Sequence, residues 1–324
     1  MAKNFPLNTN EANISSSPPP VSVVILAYGN RDFVERCLQS LQHQTWPRME
    51  ILFVDNASKD DSAAVARRTI DALQLPGRVI ELPRNLGCAG GNNAGWRAAA
   101  GDIIVFLNPD TELRPDCIEK LIDPLLADPA IGITGAKMYY PGGRLLQHAG
   151  ALVHPNGMTN HHGAGEEDHG QHDALRDVDY VTGAGFAIAA EFLRELGGFD
   201  EDYFPAYYEE VDLCLRARRA GRRVIYTPHA VLTHHESVSL GKDSTSLHRL
   251  FPRMRIRYLL KNLTLRQIAL WAVPFEYRWM RHEPAARGYR WNQIRHGWLA
   301  NIPWALGWLL RGRSRPGVHP AKRA

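Results

Sequence analysis

The sequence predicts an α/β protein: a doubly wound, mainly parallel sheet with a helical extension towards the C-terminal end. Two observations predict it. Strand-length apolar runs alternate with helix-period segments four times between Val21 and Asn108, which is the pattern of parallel strands joined by right-handed crossovers. The run from Asp102 to Leu107 is almost wholly apolar and ends at Asn108-Pro109-Asp110. A strand covered on both faces has that composition, and Pro109 cannot continue it. Asp110 is therefore expected at the carboxyl edge of the sheet, where open α/β folds bind ligands. A carboxylate there suits a metal ion carrying a diphosphate.

Taken in order, residues 1–20 are polar and end in Ser-Ser-Ser-Pro-Pro-Pro, a disordered leader by composition. Val21 to Ala27 reads as a buried strand. Asp32 to Gln44 has helical spacing, with Phe33, Cys37, Leu38 and Leu41 on one face. Glu50 to Val54 is the second strand and stops at Asp55. A helix follows from Asp60 to Leu73, started by Ser58 or Asp60. Arg78 to Leu82 is the third strand, and Gly90 to Ala100 a helix of small residues. Beyond Pro115 come a helix to Ala127 and a strand from Ile131 to Tyr139. His148 to Asp173, rich in Gly, His and acidic residues, reads as a long solvated loop. Val178 to Ala190 returns to strand character. Tyr207 to Ala220 is a helix stopped by Gly221, and Arg223 to Tyr226 a short strand.

The bulk numbers exclude several classes. A chain of 324 residues buries a large core, and 44% hydrophobic residues is a globular composition. The four cysteines are widely spaced with no CxxC pair, so buried free thiols in a reducing compartment are expected rather than a zinc site. No apolar run follows a basic start, so no signal peptide is expected. No segment reaches the roughly 18 apolar residues of a membrane span. The net charge of +4 is unevenly placed: Arg and Lys crowd the region after Arg249, interleaved with Trp271, Trp279, Trp291, Trp298, Trp304 and Trp308. That pattern suits an anionic membrane surface better than nucleic acid.

Four constellations carry chemistry. Tyr28 and Asp55 end the first two strands and lie side by side in a doubly wound sheet. Tyr28 offers an aromatic face, and Asp55 accepts from a pyrimidine N–H or a ribose hydroxyl. The stretch Arg84 to Gly95 is a Gly-rich turn opening a helix, a place that attracts anions. It is neither GxGxxG nor a P-loop, which excludes a dinucleotide dehydrogenase and a P-loop NTPase. Glu209, Glu210 and Asp212 crowd a helix start. Mutual repulsion raises one pKa there, as a general base requires, whereas Asp212 pairs with Arg216 four residues on. Lastly, His234 of the His234-His235 pair is placed to complete a metal site begun by Asp110.

In this order, Val23-Val24-Ile25-Leu26-Ala27-Tyr28, Cys37 to Leu41, Val54 to Ser58, Asn85-Leu86-Gly87 with Gly90 to Gly95, Leu107 to Asp110, Glu209 to Arg216 and His234 resemble the family 2 glycosyltransferases, and more narrowly their bacterial rhamnosyltransferase-like branch. The resemblance spans roughly Val21 to Ser239. It implies a GT-A fold over residues 21–240, with a nucleotide half to about 112 and an acceptor half beyond, followed by a basic helical extension over 241–324. It implies an inverting, metal-dependent hexosyltransferase using Mg²⁺ or Mn²⁺. The donor would be a dTDP- or UDP-sugar, dTDP-L-rhamnose first, and the acceptor a glycan or polyprenyl-linked glycan of cell-surface polysaccharide synthesis. The enzyme would work at the cytoplasmic face of the plasma membrane. Asp110 and His234 would hold the metal. Tyr28, Asp55, Asn85, Gly87, Asn93 and Asn108 would face the nucleotide sugar, and Glu210 or Glu209 would be the base. The chain departs from the family pattern at Asn108, where the first Asp of Asp-x-Asp is usual, at Gly29, where Asn often follows the Tyr, and at Glu210, which stands for an Asp. The alternative from another class is a non-catalytic nucleotide-sugar or glycan-binding protein on the same fold.

Overall fold

The computed structural model describes residues 17–236, 245–282 and 291–310. The elements run β1 (Val21–Ala27), α1 (Arg31–Gln42), β2 (Met49–Asp55), α2 (Ser62–Ala72), β3 (Gly77–Glu81), α3 (Gly87–Arg97), β4 (Ile103–Leu107), β5 (Thr111–Leu113), α4 (Cys117–Ala127) and β6 (Ile131–Tyr139). Then follow β7 (Leu146–His148), β8 (Ala151–Val153), β9 (Thr159–His161), β10 (Arg176–Asp177), β11 (Gly185–Ala189), α5 (Ala190–Glu195), α6 (Glu209–Arg219) and β12 (Arg223–His234). The C-terminal helices are α7 (Thr245–Asn262), α8 (Leu265–Gln267), α9 (Val273–His282) and α10 (Trp291–Leu310).

The main sheet has the order β10-β12-β6-β11-β4-β1-β2-β3. Strands β4, β1, β2 and β3 are parallel, β11 is antiparallel between β4 and β6, and β6 and β12 are again parallel. Both faces are covered because side chains alternate along each strand. Val23, Ile25, Phe53 and Val105 pack towards α1, α2 and α4, whereas Val24, Val54, Phe106 and Phe186 pack with residues of α5, α6 and α7.

The glycines of α3 let it lie close to β1 and β2. A Cβ on Gly95 would stand 2.4 Å from Val24 Cγ1 and 3.0 Å from Val54 Cγ2. Helix α3 begins at Gly87, three residues earlier than the small-residue run suggests, because Gly87 takes a left-handed φ of 73° where the chain turns in.

Several sequence expectations are corrected. The segment from His148 to Asp173 is not a solvated loop throughout: β8 and β9 pair within it, and His148 is buried with its ring 4.7 Å from that of His161. Its polar composition hid strands only three residues long. In the stretch Val178 to Ala190 the strand is confined to Gly185–Ala189, since the Gly-rich Thr182-Gly183-Ala184 turn precedes it. Strand β12 runs through Pro228 to His234, with the register shift between Thr227 and Val231 absorbing the missing N–H. Helix α6 starts at Glu209, because Tyr207 and Tyr208 both adopt left-handed backbone. Of the expected leader, residues 1–16 lie outside the described residues. Pro18 to Pro20 are tied down, with Pro19 O accepting from Trp46 Nε1 at 3.0 Å and Pro20 O from Asp102 N at 2.8 Å.

The basic extension turns much of its charge inwards. Arg255 is buried against Glu276 at 2.8 Å, Lys261 binds Asp200 and Asp202, and Arg257 lies over the Trp304 ring. Trp308 is buried and Trp271 is exposed. No helix among the described residues is long and apolar enough to cross a membrane.

Replacing Gly95 with Val is expected to destabilise the fold by about 1–3 kcal/mol through overpacking, read from urea unfolding; an unchanged midpoint would contradict the packing described for α3.

Candidate active site

The carboxyl ends of β1, β2 and β4 form one rim. Ala27 is in register with Asp55 across β1 and β2. Tyr28 stands 39% exposed at the rim, with its ring accessible to a ligand. Asp55 is buried; its Oδ2 accepts from Ser58 N at 3.1 Å, while Oδ1 has no hydrogen-bond partner among the described residues. An acceptor left unpaired in a native site calls for a donor from outside.

Behind the rim, Asn56 organises the entrance to α3. Its Nδ2 donates to Asn85 Oδ1 at 3.1 Å and to Gly87 O at 3.2 Å, and its Oδ1 accepts from Leu86 N at 2.8 Å. Asn85 Oδ1 also accepts from Gly87 N at 2.7 Å. Asn85 and Gly87 thus shape the turn. Asn93 is buried and makes four hydrogen bonds, to Phe199 N and O, Glu201 and Trp96. Its amide is saturated by protein, so it braces α3 against the segment leading to α6.

At the end of β4 the chain leaves the sheet and returns as β5, which pairs antiparallel with β12 in a register that sets Thr111 opposite His234. This pairing brings Asn108, Asp110 and His234 together. His234 Nε2 lies 3.4 Å from Asp110 Oδ1 and 3.2 Å from Asn108 Nδ2. The His234 Nδ1 lies 2.7 Å from Gln147 Oε1, and His235 Nε2 lies 2.6 Å from Glu112 Oε1. A carboxylate, an imidazole and an amide make a donor set that suits Mg²⁺ or Mn²⁺ when the remaining positions go to phosphate oxygens and water. No cluster of three or more His, Cys, Asp or Glu metal ligands occurs among the described residues, so protein ligation would rest on Asp110 and His234, with Asn108 beside them.

Glu209 and Glu210 open α6, directly after the two left-handed tyrosines. Such backbone costs on the order of 1–3 kcal/mol per residue and persists where packing imposes it. Here Tyr208 packs on Phe251 and Tyr258 and donates to Gly157 O at 2.7 Å. Burial pushes the Glu210 carboxyl up to about 7. Burial, then repulsion from Glu210, drives Glu209 well above the usual range. The Cys88 thiol donates to Glu209, and the other Glu209 oxygen, Oε2, is buried without a partner among the described residues. Below them Asp212 is buried and structural: it pairs with Arg216 at 2.7 Å and accepts from Tyr203 and Asn262.

Electrostatic contacts link the neighbourhoods of the two centres. Burial first, then Cys88, Glu209, Glu210 and Glu236, pushes the Tyr207 hydroxyl up to about 12. Glu236 in turn lies within electrostatic reach of His161, as does His234. Sequence reasoning missed Gln147, Asn56 and Cys88. Asn56 and Cys88 sit inside motifs already singled out, but Gln147 has no signal of its own.

A family model for glycosyl transferase family 2 matches residues 22–197, more than half of the chain. The chain belongs to that family. The chain is 30% identical over 239 residues to the O-antigen biosynthesis protein RfbC of Myxococcus xanthus, covering 70% of this chain and 18% of that protein. It is 29% identical over 248 residues to protein y4gI of Sinorhizobium fredii, covering 74% and 27%. The chain therefore spans about a quarter or less of these two relatives. It is 27% identical over 246 residues to an N-acetylglucosaminyl-diphospho-decaprenol L-rhamnosyltransferase of Mycobacterium tuberculosis, covering 69% of the chain and 78% of the relative. Among solved structures, the mannosyltransferase of Pyrobaculum calidifontis, in complex with GDP-Man and Mn²⁺, superposes with a TM-score of 0.57 at 18% identity, covering 92% of this chain and 80% of that one. GalNAc-T7 with UDP, GalNAc and Mn²⁺ gives 0.60 at 15% identity, covering 90% and 57%. The chain has the GT-A fold that the family resemblance implies.

The raised carboxyls have a stability consequence. A native pKa above the unfolded one means the folded state holds a proton that the unfolded state releases, so stability falls as pH rises through that window. Glu210→Gln is expected to raise the urea midpoint at pH 8, with the gain shrinking towards pH 4.5; a destabilised variant at pH 8 would contradict the assignment.

Proposed function

We propose that the enzyme transfers a sugar from a nucleotide diphosphate donor with inversion, using Asp110 and His234 to hold Mg²⁺ or Mn²⁺ and Glu210 as general base. The observation that carries this reading is the meeting of Asp110, Asn108 and His234 at the sheet edge, and the buried pair Glu209 and Glu210, with raised carboxyls, supplies the candidate base. Asp55 Oδ1 takes the ring N–H of a thymine or uracil base, with Tyr28 against the base. When bound, the cation neutralises charge on the departing diphosphate. Glu210 removes the proton from the acceptor hydroxyl as its oxygen attacks the anomeric carbon from the face opposite the diphosphate. Glu209, tied to Cys88 and held neutral, keeps Glu210 from a second negative charge at its side. The donor in this reading is dTDP-L-rhamnose and the acceptor a lipid-linked glycan, in line with the name of the mycobacterial relative.

Glu210→Gln is expected to lower kcat by about 10²–10⁴-fold with donor affinity retained, and Asp110→Ala to abolish metal-dependent transfer. Full turnover by either variant, in assays with dTDP-rhamnose and UDP-sugars, would end the corresponding assignment.

The C-terminal helices suit a membrane surface in the same reading. Leu270, Trp271, Tyr277, Leu299, Ile302 and Leu306 are exposed, and Arg266, Arg278 and Arg281 are exposed on the same helices. The sole acidic residue among the described residues of these helices, Glu276, is buried against Arg255. Trp271→Glu with Leu270→Glu is expected to reduce co-sedimentation with vesicles containing anionic phosphatidylglycerol. Equal binding by variant and wild type would remove this surface from the account.

A further inference from the structure

We infer that Gln147 is a positioning residue that fixes the His234 ring in the tautomer whose Nε2, the nitrogen beside Asp110, is free to bind a metal. The inference rests on the metal reading above. Gln147 lies at the centre of β7, buried, with its Oε1 2.7 Å from His234 Nδ1. An amide oxygen only accepts, so Nδ1 carries the hydrogen. On the other side of the ring, Asn108 Nδ2 lies 3.2 Å from Nε2. An amide nitrogen only donates, so Nε2 carries the lone pair. Two neighbours, one in the middle of β7 and one just after β4, thus impose the same tautomer.

That tautomer leaves an unprotonated Nε2 3.4 Å from Asp110 Oδ1. A lone pair and a carboxylate repel unless a cation stands near both. A simple His–Asp hydrogen bond would need the opposite tautomer, with its proton on Nε2. Turning the Gln147 amide over would force the hydrogen onto Nε2 and against the Asn108 donors.

The backbone of Gln147 is fixed as well. Strand β7 pairs with β6, and the Gln147 carbonyl lies close enough to the His161 ring to favour its charged form. The Gln147 Nε2 is buried without a partner among the described residues, so the amide is oriented through its oxygen. An acceptor behind the second nitrogen of a ligating histidine is the arrangement that orients such rings, and its loss typically costs 10–100-fold in metal affinity.

The test uses the full chain with Mn²⁺ alone, read by EPR, together with ¹⁵N imidazole shifts of the metal-free protein. The His234 resonances are assigned by their loss in His234→Asn. Wild type is expected to show a protonated Nδ1 and a bare Nε2. Gln147→Met, similar in length but without the oxygen, is expected to bind Mn²⁺ roughly 10-fold or more weakly and to lose the single tautomer. Gln147→Glu keeps an acceptor and is expected to retain both. Wild-type-like Mn²⁺ affinity in Gln147→Met, or a proton on Nε2 in the wild type, would overturn the inference while leaving the metal reading standing. A wild type that binds no Mn²⁺ would bring down both. The wild-type tautomer is decisive even if Gln147→Met does not fold.

Discussion

The antiparallel pairing of β5 with β12 is the constraint on which the site depends. It joins Thr111 to His234 and Leu113 to Leu232, and so closes a loop of 126 residues between Asn108 and His234. Chain entropy makes such a closure unfavourable. It is held because β12 is also bonded along its length to β6, which itself lies between β11 and β12. Asp110 fixes the junction again by accepting from His235 N at 2.9 Å. A residue at the end of a buried strand and a histidine near the end of the sheet domain thereby become neighbours with little freedom to separate.

The second centre stands on a different support. Glu209 and Glu210 follow two left-handed tyrosines, and neither the backbone nor the paired carboxyls favour that arrangement locally. Its stability comes from below. Asp212, Arg216, Tyr203 and Asn262 form a buried network, in which Arg216 also donates to Leu196 O and Gly198 O. Since Asn262 belongs to α7, the C-terminal helices are part of what holds the start of α6 in place. Lys261 and Arg257 reinforce the same junction through Asp200 and Asp202. The buried basic residues of the extension therefore brace α6 and the segment before it, whereas the arginines of α8 and α9 are exposed.

Much of this was legible in the sequence. The apolar run ending at Asn108, the strand ending at Asp55 and the pairing of Asp212 with Arg216 follow from periodicity and spacing, because each depends on residues close in the chain. The meeting of His234 with Asp110 came from family resemblance together with metal-ligand chemistry; strand register across 126 residues leaves no local trace. The bracing contacts of Asn93 were not legible for a related reason. An Asn in a Gly-rich helix start suggests a ligand contact, whereas two of its partners, Phe199 and Glu201, lie more than a hundred residues away. The buried histidine of β7 and the half-buried one of β9 were hidden because strands of three residues carry too little pattern to stand out from a polar loop.

The claim at the centre of this account is that Asp110 and His234 share one cation. Pulsed EPR of the Mn²⁺-loaded protein carrying ¹⁵N-histidine measures it directly. The account predicts a histidine nitrogen coupled to the manganese electron spin, and loss of that coupling in His234→Asn. Bound manganese with no coupled nitrogen, or a coupling that survives in His234→Asn, would contradict it.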